Sequence, residues 1–415
     1  LAEVHSERKD WLMCHECGEL QAVVSISPEH EMVCCMCGTL LHSGHGKWLQ
    51  SATALAITSA FLFGLCQFAP FLTLEIGSQS QTITILDGFW ALFDRGNWVL
   101  AALVITTTFL FPLFEIAAFL YLLVPYNFNR RLRGQSTVLR WLVLAQVWSM
   151  LEVFLLSMVV ASVKMADMAA LKLELGAYAL FLLVGVLILA YIKMDRRKLW
   201  AWMNTNNYFT RYNRENVFNC HICQAMVGES IVDDQGKCPR CYSEIYKRVP
   251  DSLQKTTALL IASAVLYVPA NILPIMTYTT LGVTETDTIF SGVVALIGAG
   301  LYWIALVVFV ASVAVPVIKL FILSYLVLSV YAGWTTGIKH RAFLYRLTEV
   351  VGRWSMVDVF VVTIFTAIVQ FGFVYTVEPE GAIIAFGAVV VLTMIAAETF
   401  DPRLLWDAME KNDDK

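Results

Sequence analysis

Trp148-Ser149-Met150-Leu151-Glu152-Val153-Phe154 returns 206 residues later as Trp354-Ser355-Met356-Val357-Asp358-Val359-Phe360. The same offset carries Cys14-His15-Glu16-Cys17 onto Cys220-His221-Ile222-Cys223, and Asp195-Arg196-Arg197-Lys198-Leu199-Trp200 onto Asp401-Pro402-Arg403-Leu404-Leu405-Trp406. Pro70 and Pro274, like Pro112 and Pro316, stand 204 residues apart. Self-similarity at one period along a whole chain is the mark of duplication, so the protein is read as two copies of one unit with a small indel.

Outward from these anchors, apolar runs near 51–72, 98–124, 138–163 and 176–193 form one set, and runs near 255–276, 301–330, 347–371 and 381–398 a second. Each is long enough to cross about 30 Å of hydrocarbon at roughly 1.5 Å per residue. Hydrophobic residues make up 58% of the chain and charged ones 15%, against roughly 25% charged in a soluble domain. That balance excludes a soluble core and points to an integral membrane protein. Four crossings return the chain to its starting side, so the two copies are expected to be parallel. Arg130, Arg131, Arg133 and Arg140 follow the second run, Lys193, Arg196, Arg197 and Lys198 the fourth, and Lys339, Arg341 and Arg346 the sixth. The positive-inside rule puts those segments, both chain ends and both cysteine-bearing segments in the cytoplasm. The polar opening segment lacks the basic-then-apolar build of a signal peptide, so the first run is expected to direct insertion. Between the first two runs, Leu72–Ile76, Gly77-Ser78 and Thr82–Ile85 alternate with period two, and 277–289 does so more loosely. A small β-hairpin is predicted on the outer face of each copy.

Eight of the ten cysteines fall into Cys-x-x-Cys pairs: Cys14, Cys17, Cys34 and Cys37, then Cys220, Cys223, Cys238 and Cys241. Two knuckles place four sulfurs tetrahedrally, the arrangement that suits redox-inert, borderline-soft Zn²⁺. Four protein ligands leave no position for a substrate water, so two structural zinc ribbons are expected, in a reducing compartment. Gly18, Gly38, Gly228 and Gly236 are assigned to their tight turns. Cys35 and Cys66 are read as spare and packing residues, and His15, His42 and His45 as loop residues.

An ionisable side chain within an apolar run is costly unless paired or wetted, and so marks function by default. Lys319, in Val315-Pro316-Val317-Ile318-Lys319, and Asp358, three residues after Ser355, meet that description, and Thr393 adds a hydroxyl. Pro316 is expected to free the carbonyl of Ser312 beside the lysine. Lys319, Asp358, Ser355 and Thr393 form a candidate proton relay or gate, the alternative being a static ion pair that fixes packing. Arg353 stands near the inner interface, where snorkelling is its plainer reading. In the first copy Glu152, Ser149 and Glu115 occupy the places of Asp358, Ser355 and Lys319, and Val147 that of Arg353. Pro269-Ala270-Asn271-Ile272-Leu273-Pro274 is read as disrupting the outer end of the fifth helix, either as a substrate mouth or merely as the helix exit. Gly-x4-Gly-Lys-Ser/Thr, His-Glu-x-x-His and Gly-x-Ser-x-Gly are absent from the chain, which argues against ATPase and common hydrolase chemistry. No nucleic-acid surface is indicated.

Arg353–Phe360, Pro269–Pro274, Thr399-Phe400-Asp401-Pro402-Arg403-Leu404-Leu405-Trp406-Asp407 and the doubled ribbons together resemble the paraquat-inducible protein A (PqiA/LetA) family. The resemblance implies a bacterial inner-membrane protein, not an enzyme. It implies work beside an MCE-domain tunnel protein that moves phospholipid between the two membranes of a Gram-negative envelope. It also implies a polar network at Lys319, Ser355, Asp358 and Thr393. The competing reading is a non-transporting anchor or assembly scaffold for that partner. The expected architecture is a mainly α polytopic membrane protein built by tandem duplication. Each copy is a small cytoplasmic four-cysteine zinc ribbon plus a four-helix transmembrane bundle with a short periplasmic β-hairpin. The expected divisions are 1–47 (first ribbon), 48–200 (first membrane domain), 201–250 (second ribbon), 251–400 (second membrane domain) and 401–415 (cytoplasmic tail).

Overall fold

In the computed structural model, residues 11–14, 16–22, 31–43, 48–76, 79–165, 170–203, 217–228, 236–246, 248–280, 283–298, 300, 302–368 and 375–407 are described. The side chains of Arg353 and Asp358 lie outside that description. So do His15, His45, the side chain of His42 and the Gly77-Ser78 turn.

The first copy opens with two short antiparallel strand pairs, β1 (Trp11–Met13) with β2 (Leu20–Ala22) and β3 (Glu31–Val33) with β4 (Leu40–Ser43). Helix α1 (Trp48–Phe68) leads to β5 (Leu72–Ile76) and β6 (Gln79–Ile83), then to the short α2 (Ile85–Asp94). Helices α3 (Trp98–Ile105) and α4 (Phe111–Asn127) join through a π-turn, Thr106–Leu110, into one long span. There follow α5 (Gln135–Ala145), α6 (Leu151–Met165), β7 (Ala170–Leu173), α7 (Leu175–Lys193) and α8 (Arg196–Met203).

The second copy repeats this order: β8 (Val217–Asn219), β9 (Met226–Gly228), α9 (Ser252–Ile272), β10 (Met276–Thr280), β11 (Val283–Asp287), α10 (Ile289–Gly298) and α11 (Tyr302–Phe309). A π-turn at Val310–Ala314 leads into α12 (Val315–Tyr331) and α13 (Ile338–Gly352). A 3₁₀ turn, Arg353–Met356, precedes α14 (Val357–Ile368), β12 (Tyr375–Pro379) and α15 (Gly381–Thr399).

Among the described residues, six helical spans are long and apolar enough to cross a membrane, three from each copy. The third run of each set is not one continuous helix. It breaks at Gln146–Met150 and at Arg353–Met356, on the Trp-Ser-Met repeats, leaving a basic segment (α5, α13) and a short apolar one (α6, α14). The basic residues Arg140, Lys339, Arg341 and Arg346 are therefore helical rather than in loops. A break inside a membrane domain is tolerated where protein satisfies the freed backbone. The Met150 N–H points at the Thr107 carbonyl, 3.5 Å away. Thr107 lies in the π-turn, where the Phe111 N–H bonds Thr106 instead, and Pro112 has no N–H to offer the next carbonyl. The same register shift corrects the expectation at Pro316. Val315 donates to Val310, so the proline deprives Ala311, not Ser312, of its donor.

Each predicted hairpin is part of a three-stranded sheet, because the segment after the third helix adds β7 beside β5 and β12 beside β10. Thr73 donates to Glu174 at 3.0 Å and Thr277 to Glu380 at 2.9 Å, the same brace in both copies. Pro269 does not disrupt its helix. α9 continues to Ile272 and ends when Leu273 turns extended, so 269–274 is a helix exit. A proline near a helix end loses one backbone bond without ending the helix.

The copies join through their third helices. Phe154 meets Phe360 edge-on at 5.5 Å, and the Ser157 hydroxyl donates to the Val357 carbonyl at 3.0 Å. One apolar core runs through both copies at this seam. At the ribbon end, Asn219 donates to the Met13 carbonyl, which puts the two ribbons side by side on one face.

Candidate functional site

Each set of four cysteines converges. In both clusters the four Sγ atoms lie within 4.8 Å of one another, and neighbouring sulfurs are 3.5–3.6 Å apart. A disulfide would need about 2.05 Å. Metal–sulfur bonds of about 2.3 Å set tetrahedral edges near ~3.8 Å, so the spacing fits one ion per cluster. Backbone N–H groups wrap each knuckle: Gly18 bonds Cys14, Gly38 bonds Cys34, Gln224 bonds Cys220 and Tyr242 bonds Cys238. The turn needs a positive φ. Gly18 (81°) and Gly38 (75°) supply it in the first ribbon, whereas Gln224 (55°) and Tyr242 (58°) adopt it in the second. Gly228 therefore has no turn role and lies in β9, while Gly236 (φ 60°) does turn the chain. Hydrogen bonding from Cys17 holds the Cys14 thiol down to about 4 although burial opposes it, and bonds from Cys223, Cys238 and Cys241 push Cys220 down too. Hydrogen bonding to Cys14 and to Cys220 pushes Cys17 and Cys223 up in turn, so within each cluster a proton is shared unequally among the sulfurs, and all four become thiolate ligands only against a bound cation. Cys35 is exposed and outside the cluster, and Cys66 is buried in α1.

The clusters are seated differently. All four sulfur residues of the second are buried, and they share an apolar core with Trp48, Leu199 and Trp200 of the first membrane domain. Arg240 stacks over Trp200 at 5.8 Å, and His221 Nε2 lies 2.9 Å from the Arg403 guanidinium. The first cluster is half open and held to α13, where Arg346 donates to the Cys37 carbonyl at 2.6 Å and pairs with Glu16 at 3.2 Å. Each ribbon therefore grips the membrane domain of the other copy.

Within the second membrane domain, Lys319 is 3% exposed on α12. Its Nζ rests on Gly352, so closely that a Cβ built there would lie 2.6 Å from it. Ser355 Oγ donates to the Gly352 carbonyl at 2.9 Å, which brings the serine to the same glycine. Thr393, also buried, donates to Val390 within its own helix. Both hydroxyls have spent their proton on the backbone, so toward an ammonium they can only accept. Ser312, in the π-turn before Pro316, is fully buried with no hydrogen-bond partner among the described residues. Arg353 opens the 3₁₀ turn and Asp358 is the second residue of α14. In the first copy, Glu115 is buried while Glu152, in the place of Asp358, is exposed. The two acids that take the places of Lys319 and Asp358 there have different surroundings.

A cavity of about 320 Å³ opens at Lys319, with Thr348, Gly352 and Met394 on one wall and Val143 and Val147 of the first copy on the other. It also reaches Tyr345, Glu349, Glu398 and His221. Sequence reasoning missed these residues, since Glu349 and Glu398 stand at the ends of apolar runs and read as interfacial. Their places in the first copy, Val143 and Ile192, are apolar, and that contrast marks them.

The sequence profile of the paraquat-inducible protein A family matches residues 49–204 and again 253–410. The intermembrane transport protein PqiA of Escherichia coli is 31% identical over 99% of this chain and 98% of its own length. The lipophilic envelope-spanning tunnel protein A of the same species is 29% identical over 97% and 92%. A probable intermembrane transport protein of Haemophilus influenzae is 30% identical over 96% of both chains. No solved structure matches. With both halves covered, with its own duplicated spans and four-cysteine clusters, and with full-length relatives named for transport between membranes, the chain is a multi-pass membrane protein that belongs to the paraquat-inducible protein A family.

Proposed function

We propose that the protein is the inner-membrane component of an MCE-type lipid transport system. It loads phospholipid into, or unloads it from, a tunnel protein that crosses the periplasm, and a buried network of Lys319, Asp358, Ser355 and Thr393, with Arg353 at its edge, couples the step to protons. The observation that carries this reading is the burial of Lys319 against Gly352 at the head of a cavity between the two copies. A lysine is retained in such a place for function far more readily than for packing, because its burial costs several kcal/mol. The relatives' names for intermembrane transport and an envelope-spanning tunnel support the direction of the reading. The ribbons and both chain ends face the cytoplasm, with the three-stranded sheets toward the periplasm. Zn²⁺ occupies both four-cysteine clusters, where four thiolates close its coordination and give it a structural role.

Lys319→Met and Asp358→Asn test the network. Each is expected to abolish rescue of a transport-deficient envelope and lipid flux to the MCE partner, while expression and partner association persist. Full flux in both variants overturns the network, and normal flux with all four polar residues replaced would leave only an anchoring role. Elemental analysis should return two zinc ions per chain.

A further inference from the structure

The cavity at Lys319 does not end within the membrane domain. Tyr345, Glu349, Glu398 and His221 also line a second cavity of about 230 Å³ nearer the ribbons, whose outer wall includes Glu16 and Asp401. At about 30 Å³ per molecule, the inner cavity alone has room for on the order of ten waters. The charged groups along it come from the second membrane domain and the ribbons. Lys319 stands on α12, Arg346 and Glu349 on α13, and Glu398 on α15. Asp401 and Arg403 follow α15, and Glu16 and His221 come from the ribbons. Two of the acids are held by arginines, Asp401 by Arg403 at 2.9 Å and Glu16 by Arg346 at 3.2 Å. The opposite wall, from Val143 to Val147, contributes no charge.

Duplication supplies an internal control. At the offset of 206 residues, Tyr345, Thr348, Glu349 and Glu398 correspond to Leu139, Leu142, Val143 and Ile192. The same helices fold in the first copy with apolar residues at all four places, so the fold does not require these polar ones. Toward the sheets from Lys319, the described residues Met356, Val357, Phe360, Phe386 and Val390 are buried in the seam core.

We propose that this chain of cavities is a water-filled inlet through which protons reach Lys319 from the ribbon side, with Glu349 and Glu398 concentrating them at its neck. The proposal rests on the reading of Lys319 as the coupling group. A hydronium gives its proton to a carboxylate oxygen at the neck and leaves as water, and the proton passes through cavity water to the amine nitrogen. Carboxylates at the mouth of a cavity with apolar walls raise the local cation concentration, which is what an inlet to a lysine needs. The conformation is the one open to the ribbons and closed toward the sheets.

Accessibility tests the path separately from transport. Thr348→Cys and Ala397→Cys, which line the inlet, are treated in the full-length protein with a membrane-impermeant thiosulfonate. The reagent is applied from either side of oriented vesicles, and labelling is read from the mass of the peptide that carries the new cysteine. Both should react at least tenfold faster from the ribbon side, while Met356→Cys beyond the closure stays unlabelled. Faster labelling from the sheet side, or equal labelling at Met356→Cys, overturns the path. In proteoliposomes made acid on the ribbon side, Glu349→Gln/Glu398→Gln should slow proton uptake at least fivefold with Ala397→Cys labelling unchanged. Undiminished uptake overturns the part given to the two acids. Ribbon-side labelling with no proton uptake by the unsubstituted protein overturns the coupling reading and leaves the aqueous path standing.

Discussion

Both membrane domains break their third helix at Trp-Ser-Met and insert a π-turn ahead of a proline. Both also brace their three-stranded sheet with the same Thr-to-Glu bond. Beneath the break they part. The second copy gathers Lys319 against Gly352, with Thr348, Glu349 and Glu398 around one cavity. In the first copy, Gln146 takes the place of Gly352 and accepts a hydrogen bond from Arg196. What the copies share is therefore what the fold needs to satisfy a broken backbone in a membrane. What only the second copy carries is the machinery we assign to transport. The ribbons diverge in the other direction, with the second embedded in the core and the first on an arginine tether.

The largest effect should come from the ribbons. Removing ligands by Cys220→Ser/Cys223→Ser deletes a metal site whose binding free energy is on the order of 10 kcal/mol and whose residues belong to the first membrane domain's core. We expect accumulation to collapse, or the thermal unfolding midpoint of the detergent-solubilised protein to fall steeply. Cys14→Ser/Cys17→Ser should lower the metal content by one ion with a much smaller loss of stability, because that cluster is half exposed. Equal losses would contradict the difference in seating.

A second contrast lies at the ribbon-side ends of α7 and α15. Asp401 is buried, accepts from Arg403 and the Val249 N–H, and holds its proton less tightly than an ordinary aspartate, because these bonds outweigh burial. Its counterpart Asp195 is also largely covered, but its partner Lys198 is 48% exposed, and its other bond is from the Lys198 N–H at the start of α8, which an asparagine would also accept. Asp401→Asn leaves a buried guanidinium uncompensated and should destabilise by about 3 kcal/mol. Asp195→Asn should stay within about 1 kcal/mol. Since the folded state depresses the Asp401 pKa, its contribution is complete above the ordinary value of about 3.9 and fades as pH falls below it. Thermal denaturation of Asp401→Asn should thus trail the parent by a constant margin from pH 5 to 8, and the gap should close only in acid.

The duplication, the two four-cysteine sites and the membrane character were legible because each rests on local spacing. Cys-x-x-Cys and a run of twenty apolar residues announce themselves wherever the chain goes. The broken third helices were not legible, since both sides of the break are apolar or amphipathic and no proline marks it. The strands 170–173 and 375–379 were missed because only a partner a hundred residues away makes them strands. The carbonyl freed by Pro316 was placed one residue off because a π-turn changes register without altering the apolar pattern. Lys319 stood out as a charge inside an apolar run. Glu349 and Glu398 did not, since acids at run ends are ordinary unless their apolar counterparts are set beside them.

The smallest perturbation separates the two copies most cleanly. Gly352→Ala puts a methyl where the tip of Lys319 now rests, 2.6 Å from Nζ. A lysine tip is flexible, so the ammonium swings aside and stability should change by less than about 1 kcal/mol. Lipid transport, which on our reading depends on where that ammonium sits, should fall severalfold. Gln146→Ala at the matching place removes the acceptor of Arg196, a hydrogen bond to a charged group worth roughly 1.5–3 kcal/mol. It should lower the unfolding midpoint while leaving transport per folded molecule intact. Measuring midpoint and flux for both variants gives a crossed pattern if the first copy is scaffold and the second is the working half. If Gly352→Ala transports normally, the position of Lys319 is not what the second copy was kept for. If Gln146→Ala loses transport without losing stability, the first copy has a working site of its own.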